Sequence, residues 1–259
     1  SNYQKNADNV NLGFDHDYQG IVSGYQLTND SGVIAGVSTG DIKTKAQSFN
    51  SDVTSIFLGA YHKVNIANNT ILTTNINSGY ETYNNKRRVI DNINGVQTAS
   101  SKTSNLFINP AVKVTNNIKL PNNFELQPNA SINYNIAMFD GYQESGSSSN
   151  MNVESRTAKV LNSKFGIDSI YTFKKHYQVN VGYGLQTRII DEDGIDANLA
   201  ATNISFDSHN DNNVNSNYIN IGFKAVNFKD LVLDANYNIR SGDGGEEQKT
   251  ISLGVNYKF

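Results

Sequence analysis

Residues Thr250 to Phe259 read T-I-S-L-G-V-N-Y-K-F, and their alternation carries the fold. Ile251, Leu253, Val255, Tyr257 and Phe259 are apolar or aromatic, while Thr250, Ser252, Gly254, Asn256 and Lys258 between them are polar or small. A period of two puts the first set on one face of a β-strand. About ten residues with one apolar face is the length of a tilted strand that crosses an outer membrane. A soluble strand at a chain end more often gives way to a polar, frayed tail; here the pattern runs to the last residue. The stretch is expected to be the closing strand of a transmembrane barrel. The alternative is the edge strand of a soluble sheet, and the rest of the chain decides between them.

The chain has 259 residues, enough for one large all-β domain. Hydrophobic content is 37% and mean hydropathy is -0.48, with no apolar run near the roughly 18 residues of a spanning helix. Barrel strands keep such averages low, because lumen-facing polar residues cancel lipid-facing apolar ones. The lack of Cys removes disulfides and thiolate metal sites, and suits passage through an oxidising periplasm. A net charge of -3 offers no basic field for nucleic acid. With 14 Tyr, 12 Phe and no Trp, an interfacial belt has to be built from Tyr and Phe. The polar start, Ser1 to Asn11, is no signal peptide, so the chain reads as a mature or trimmed piece.

Val10, Leu12 and Phe14 predict a short first strand, and Tyr18 to Thr28 a second. Asn29-Asp30-Ser31-Gly32 is a tight-turn sequence whose residues tolerate positive φ. Further short turns fall near 65–68, Leu120-Pro121-Asn122, Lys174-Lys175 and Phe228-Lys229. Longer polar stretches lie between them at 44–51, 84–101, 140–154, 191–212 and 241–248. Short and long connections alternate, as short periplasmic turns and long external loops do in outer-membrane barrels. A strand ending at Phe259 then finishes on the short-turn side, both termini are periplasmic, and the strand count is even; counting gives twelve. The expected fold is an all-β, twelve-stranded antiparallel transmembrane β-barrel of the outer membrane, with 1–6 a residual linker and 7–259 the single barrel domain.

The strand faces agree. Phe124, Leu126, Pro128, Ala130, Ile132, Tyr134, Ile136 and Met138 oppose Glu125, Gln127, Asn129, Ser131, Asn133 and Asn135, as lipid outside and water inside require. Such runs exceed the 5 to 6 residues usual for sandwich strands. Pro110 and Pro128 fall inside predicted strands, where each removes a ladder hydrogen bond unless it marks an irregularity.

Leu126, Pro128 and Tyr134, then Gly141, Tyr142, Glu144 and Gly146, then Phe165 and Gly166, resemble the pattern of bacterial autotransporter translocator domains, the type V secretion family. In that family a strand with Leu-x-Pro and a later Tyr precedes a Gly-Tyr-x-Glu-x-Gly loop and a strand with Phe-Gly or Leu-Gly. Tyr80 to Val89, Y-E-T-Y-N-N-K-R-R-V, is similar to the family's Tyr-Asp-x-x-Arg-x-Val segment. Ser252, Gly254, Tyr257 and Phe259 resemble the C-terminal signal by which outer-membrane proteins reach the barrel insertion machinery. The resemblance implies a twelve-stranded barrel that anchors and helps translocate an N-terminal passenger to the cell surface, with a helix in the pore before the first strand. Ser1 to Asp8 is too short to fill a pore about 30 Å long at 1.5 Å per residue, so passenger and helix are expected to be missing from this sequence. A small porin or passive channel is the alternative. Outer-membrane lipid, the insertion machinery and the chain's own passenger segment are the implied partners, in a monomer without cofactors.

Glu81, Lys113, Glu125, Lys164, Asp168, Arg188, Lys224, Asp234 and Arg240 fall on predicted inward faces. Such charges could hold a pore helix, guide a passenger or help an Asn at the junction cleave itself; equally, a mixed-charge lumen merely keeps water and neighbours satisfied. Mixed sign argues against strong ion selectivity. Asp207-Ser208-His209-Asn210-Asp211 could suggest an acid-His site or an oxygen-rich Ca²⁺ site, but lacks the EF-hand glycine. His16, His62 and His176 have no partners at metal-ligand spacing. No catalytic or metal residues are expected, and Gly242 to Gly245 reads as a turn.

Overall fold

The structure, a computed structural model, describes the chain except for residues 8–12, 175, 193, 200–201, 207–212, 229–230 and 258–259. The strands are, in order, β1 (Asn2–Lys5), β2 (Phe14–Gln26), β3 (Ser31–Thr44), β4 (Phe49–Ala67), β5 (Thr70–Asp91), β6 (Gly95–Asn116), the two-residue β7 (Ile118–Lys119) and β8 (Phe124–Phe139). They continue with β9 (Tyr142–Gln143), β10 (Met151–Val153), β11 (Arg156–Phe173), β12 (Tyr177–Glu192), β13 (Ile195–Leu199), β14 (Thr202–Phe206), β15 (Asn213–Phe228), β16 (Leu231–Gly242) and β17 (Glu246–Tyr257). β7 extends the line of β6 along β8. The others, with β9, β10, β13 and β14 set aside, join their neighbours antiparallel, and β1 pairs with both β2 and β17. The ring of twelve strands is closed, as a sheet in lipid must be to satisfy its backbone polar groups; the seam runs through four-residue β1, and β2 from Gln19 on and β17 from Thr250 on are laddered only to β3 and β16.

Cross-strand partners share a face because side chains alternate along each strand. Ile21, Val37, Ile56 and Tyr80 are successive partners, and all are exposed. So are Phe165 and Leu185. This is the lipid face. Its complement, including Ser55, Glu81, Asn105 and Gln186, is the lumen. Near the short-turn rim, Phe124, Tyr171, Phe173, Tyr177 and Phe223 form one chain of ring contacts, with centroids 4.7 to 6.3 Å apart. This is a segment of aromatic belt built without Trp.

The short turns hold the residues that tight turns demand. Asn69, Asn122, Asn123 and Lys174 have positive φ, and Asn is among the side-chain-bearing residues most tolerant of it. Tyr257, the last described residue, pairs with Leu231 beside the same rim.

Residues 45–48 make a tight turn between β3 and β4, and the other four polar stretches expected as long loops take three forms. Residues 84–101 are mostly strand, since β5 and β6 run 22 residues each and turn at 92–94. At about 3.3 Å per residue and a 40° tilt this hairpin is about 55 Å tall, roughly twice the ~25 Å apolar band. From Thr82 to Arg88 its outward residues, Thr82, Asn84, Lys86 and Arg88, are polar because water lies on both sides there, and the apolar pair Ile90 and Val96 follows on the same face near the tip. Residues 140–155 and 194–206 supply a second antiparallel sheet, in the order β14-β13-β10-β9. Residues 243–245 are a tight 3₁₀ turn, with Gly244 and Gly245 at positive φ.

The N-terminus also differs from expectation. Residues 2–5, expected in a linker, form β1, because the edges of β2 and β17 offer ladder hydrogen bonds that an extended segment can take. Val10 and Leu12 lie outside the described residues, and Phe14 opens β2. Both prolines sit at ladder interruptions. The β6–β8 pairing breaks between Ile108 and Ala111, around Pro110, and again between Thr115 and Ile118, opposite Pro128. Asn133 bridges the first gap by donating to Asn109 Oδ1 at 2.6 Å.

Candidate functional site

The register puts all nine sequence-derived charged residues on the lumen face, and four of the acids each have an amide or hydroxyl donor. Glu81 accepts from the Tyr83 hydroxyl at 2.6 Å and from Asn105 Nδ2 at 3.0 Å. Glu125 accepts from Gln127 at 2.7 Å, and Asp168 from Asn129 at 2.9 Å. Asp234 accepts from Asn256 at 3.3 Å and Asn236 at 3.4 Å. Arg188 forms an ion pair with Glu246, whose side chain is 4% exposed. Lys224 is exposed, with Asp234 as its register partner.

Three cations have different surroundings. Lys164 lies 5.7 Å from the Tyr218 ring centroid, and Arg240 lies 5.6 Å from that of Tyr3. Together with Lys113 they line one lumenal cavity of about 390 Å³. Tyr218 reaches this position by lying across Gly184 and Gly166, where a β-carbon at either glycine would overlap its ring or hydroxyl. That is a packing reason for Gly166, which the sequence pattern singled out without one.

The outer mouth is covered by the second sheet. Ser145 and Ser100 exchange backbone hydrogen bonds at 2.8 and 2.9 Å, tying the 140–155 segment to β6. Arg87 donates to both oxygens of Glu144 and to the Ser149 carbonyl, and Met151 N–H donates to Glu144 at 2.8 Å. Ser148 donates to Gln97 through its N–H and to Asp91 through its hydroxyl. That hydroxyl, with Asn94 and the N–H groups of Ile93 and Asn94, holds the Asp91 carboxyl well below the usual carboxylate range. Beneath the sheet, Tyr83, Asn85 and Phe139 from the wall and Tyr142, Val153 and Ile195 from the loops enclose a cavity of about 290 Å³. Burial and the neighbouring Glu144 charge push the Tyr142 phenol up.

Sequence reasoning missed Glu246 because 241–248 reads as loop, and missed Tyr3 because 1–6 reads as linker. Arg87 and Glu144 did stand in stretches that carried the family resemblance, though no role was attached to either. Asp207 to Asp211 and Phe259 lie outside the described residues. Ser252 and Gly254 face the lumen side of β17, and Tyr257 the lipid side. Gly254 gives room to the Asp234 carboxylate, which a β-carbon there would meet.

A closed antiparallel ring with an apolar outer band, a polar lumen and one rim of short turns defines an outer-membrane β-barrel. The family model described as Autotransporter beta-domain matches residues 1–238, and the chain belongs to that family. Among solved structures it is similar to the translocator domain of the autotransporter NalP from Neisseria meningitidis, at 14% identity with a TM-score of 0.78, covering 100% of this chain and 85% of that one. The beta domain of the Bordetella autotransporter BrkA matches at 15% identity and a TM-score of 0.65, over 100% of this chain and 96% of that one. The transport unit of AIDA-I from Escherichia coli matches at 12% identity and 0.61, over 100% and 88%. No curated protein matches the chain in sequence. The protein is thus an outer-membrane barrel that translocates a linked passenger, and the porin reading is not favoured.

Proposed function

We propose that the lumen is the passage and anchorage of the passenger segment, and that the barrel performs no chemistry on a substrate. The observation that carries this reading is the placement of charge. Every lumenal acid named above is engaged by an amide, a hydroxyl or an arginine, so the wall is polar and ordered, as a surface for a peptide should be. Glu81, Lys113, Glu125, Lys164, Asp168, Arg188, Lys224, Asp234 and Arg240 are the residues proposed to meet it. The short-turn rim, with Tyr257 beside it, supports a periplasmic placement of both termini, since external connections are the longer ones in such barrels.

Ser252, Gly254, Tyr257 and Phe259 are proposed as the signal read by the insertion machinery. The barrel is proposed to act as a monomer, in contact with outer-membrane lipid through its apolar band. The test is to fuse a reporter upstream of Ser1 in an outer-membrane host and to probe intact cells with protease. Protease-sensitive reporter at the surface is the expected result. A reporter that stays protected while the barrel is inserted and heat-modifiable would sink the proposal.

A further inference from the structure

We infer that the lumen carries a built oxyanion site, formed by Lys113, Lys164 and Arg240, that engages a carboxylate side chain of the peptide threading the pore. The inference rests on reading the lumen as a peptide route, and adds the chemistry that route selects. Lys113 and Lys164 are both register partners of Ser131, from its two neighbouring strands. Neighbouring strands are about 4.8 Å apart, so the backbones of the two lysines lie about 10 Å apart on one face, with Ser131 between them. Arg240 closes the third side of the same cavity of about 390 Å³.

Among the described residues none of the three cations has a carboxylate within ion-pair distance. Lys164 and Arg240 have aromatic faces for company, Tyr218 and Tyr3. Asp168, four residues along the same face of β11 from Lys164, is engaged with Asn129, and Glu246 with Arg188. Asn133, Asn162 and Gln248 line the same space, with the Asn133 amide donating to Asn109 and that of Gln248 to Ser1. Lys113 and Lys164 are exposed to the lumen and Arg240 is half-buried, and three like charges around one cavity repel one another unless an anion stands among them. A carboxylate placed among them gains charge-assisted hydrogen bonds, and the cavity volume suits one acidic side chain together with water. The mixed sign of the whole lumen therefore hides a sorted arrangement: its acids are satisfied, and its cations at this level are not.

The chain has no Trp, so a short acidic peptide with a single Trp supplies the only indole signal in a titration of the detergent-folded barrel. A Glu-containing peptide should bind about tenfold more tightly than its Gln twin. Inorganic phosphate should compete with it. The triple variant K113Q/K164Q/R240Q should erase the preference, and K113R/K164R should keep it. Heat-modifiable migration on gels reports folding; should the triple variant not fold, the single Lys113→Gln carries the same test, with a smaller loss. Equal binding of the twins to the wild-type barrel overturns the site. So does a preference that survives neutralisation. Displacement of nothing by phosphate, or phosphate binding without peptide binding, overturns the assignment of a threaded carboxylate. Failure of reporter export with the peptide preference intact would count against the transport route and leave the site standing.

Discussion

Arg87 Nε and Nη2 meet the two carboxylate oxygens of Glu144 at 3.0 and 2.6 Å, joining the tall β5 wall to the segment that covers the pore. The Glu144 side chain is 5% exposed. Removing one partner of a buried pair leaves an uncompensated charge, at about 3–5 kcal/mol. Here the loop can swing out and hydrate the charge, so the cost falls on loop closure and spares the barrel. Arg87→Ala should make 140–155 protease-sensitive while heat-modifiable migration persists. Glu144→Gln keeps an acceptor for the Met151 N–H and should open the loop less. Unfolding of the whole barrel by either change would contradict this division.

The Asp91 contact makes the tip of the same hairpin sensitive to acid. Its folded pKa is depressed, chiefly by the Ser148 hydroxyl and then by Asn94 and the N–H groups of Ile93 and Asn94. A depressed carboxyl contributes stability that is fully present above its unfolded value, about 3.9, and lost as pH falls through the folded value. Protease nicking near 92–94, normalised to a peptide substrate, should therefore be flat from neutral pH to about pH 4 and rise below. Asp91→Asn should remove that dependence.

Tyr218 needs the two glycines it covers. A β-carbon at Gly184 would run into the Phe165 carbonyl oxygen and stand 2.5 Å from the Tyr218 ring, so removing the ring relieves only one of the two contacts. Gly184→Ala should cost about 1–3 kcal/mol by overpacking, read from the urea midpoint of folding into detergent or lipid. Tyr218→Ala in the same chain should recover part of the loss. Lack of recovery would place the strain in the backbone instead.

The two faces of β16 predict opposite tolerance of charge. Leu233 points to lipid, and Asn236 faces the lumen beside Asp234. Leu233→Arg should destabilise the membrane-folded barrel by up to about 2–4 kcal/mol, less if it lies near the interface. Asn236→Arg gains Asp234 as a partner and should be close to neutral. Equal penalties would mean that the inside and outside have been exchanged.

The wall within the membrane was legible because lipid and water impose alternation there, as in Phe124 to Met138. Above the membrane both faces are wet and alternation stops. Asn84 to Ser101 therefore looked like a loop, although the ladder from Asn84↔Lys102 to Asp91↔Gly95 continues. Glu246 escaped for the same reason, its neighbours being polar on both sides. Charged residues on inward faces could be counted from the sequence, but which acid is satisfied by which amide depends on register between strands distant along the chain. The contact between Asp168 and Asn129 is such a case. Arg87 and Glu144 are 57 residues apart, and only the folded hairpin brings them together.

The unequal strands give the outer opening a direction. β5 and β6 run 22 residues each, whereas β16 and β17 run 12. Once the 140–155 segment has swung aside, a polypeptide leaving the barrel meets a tall protein parapet on one flank and a rim close to the lipid headgroups on the other. Its first free residues are thereby offered to the bilayer surface on one bearing, so the way out is a spout with a lip and a back.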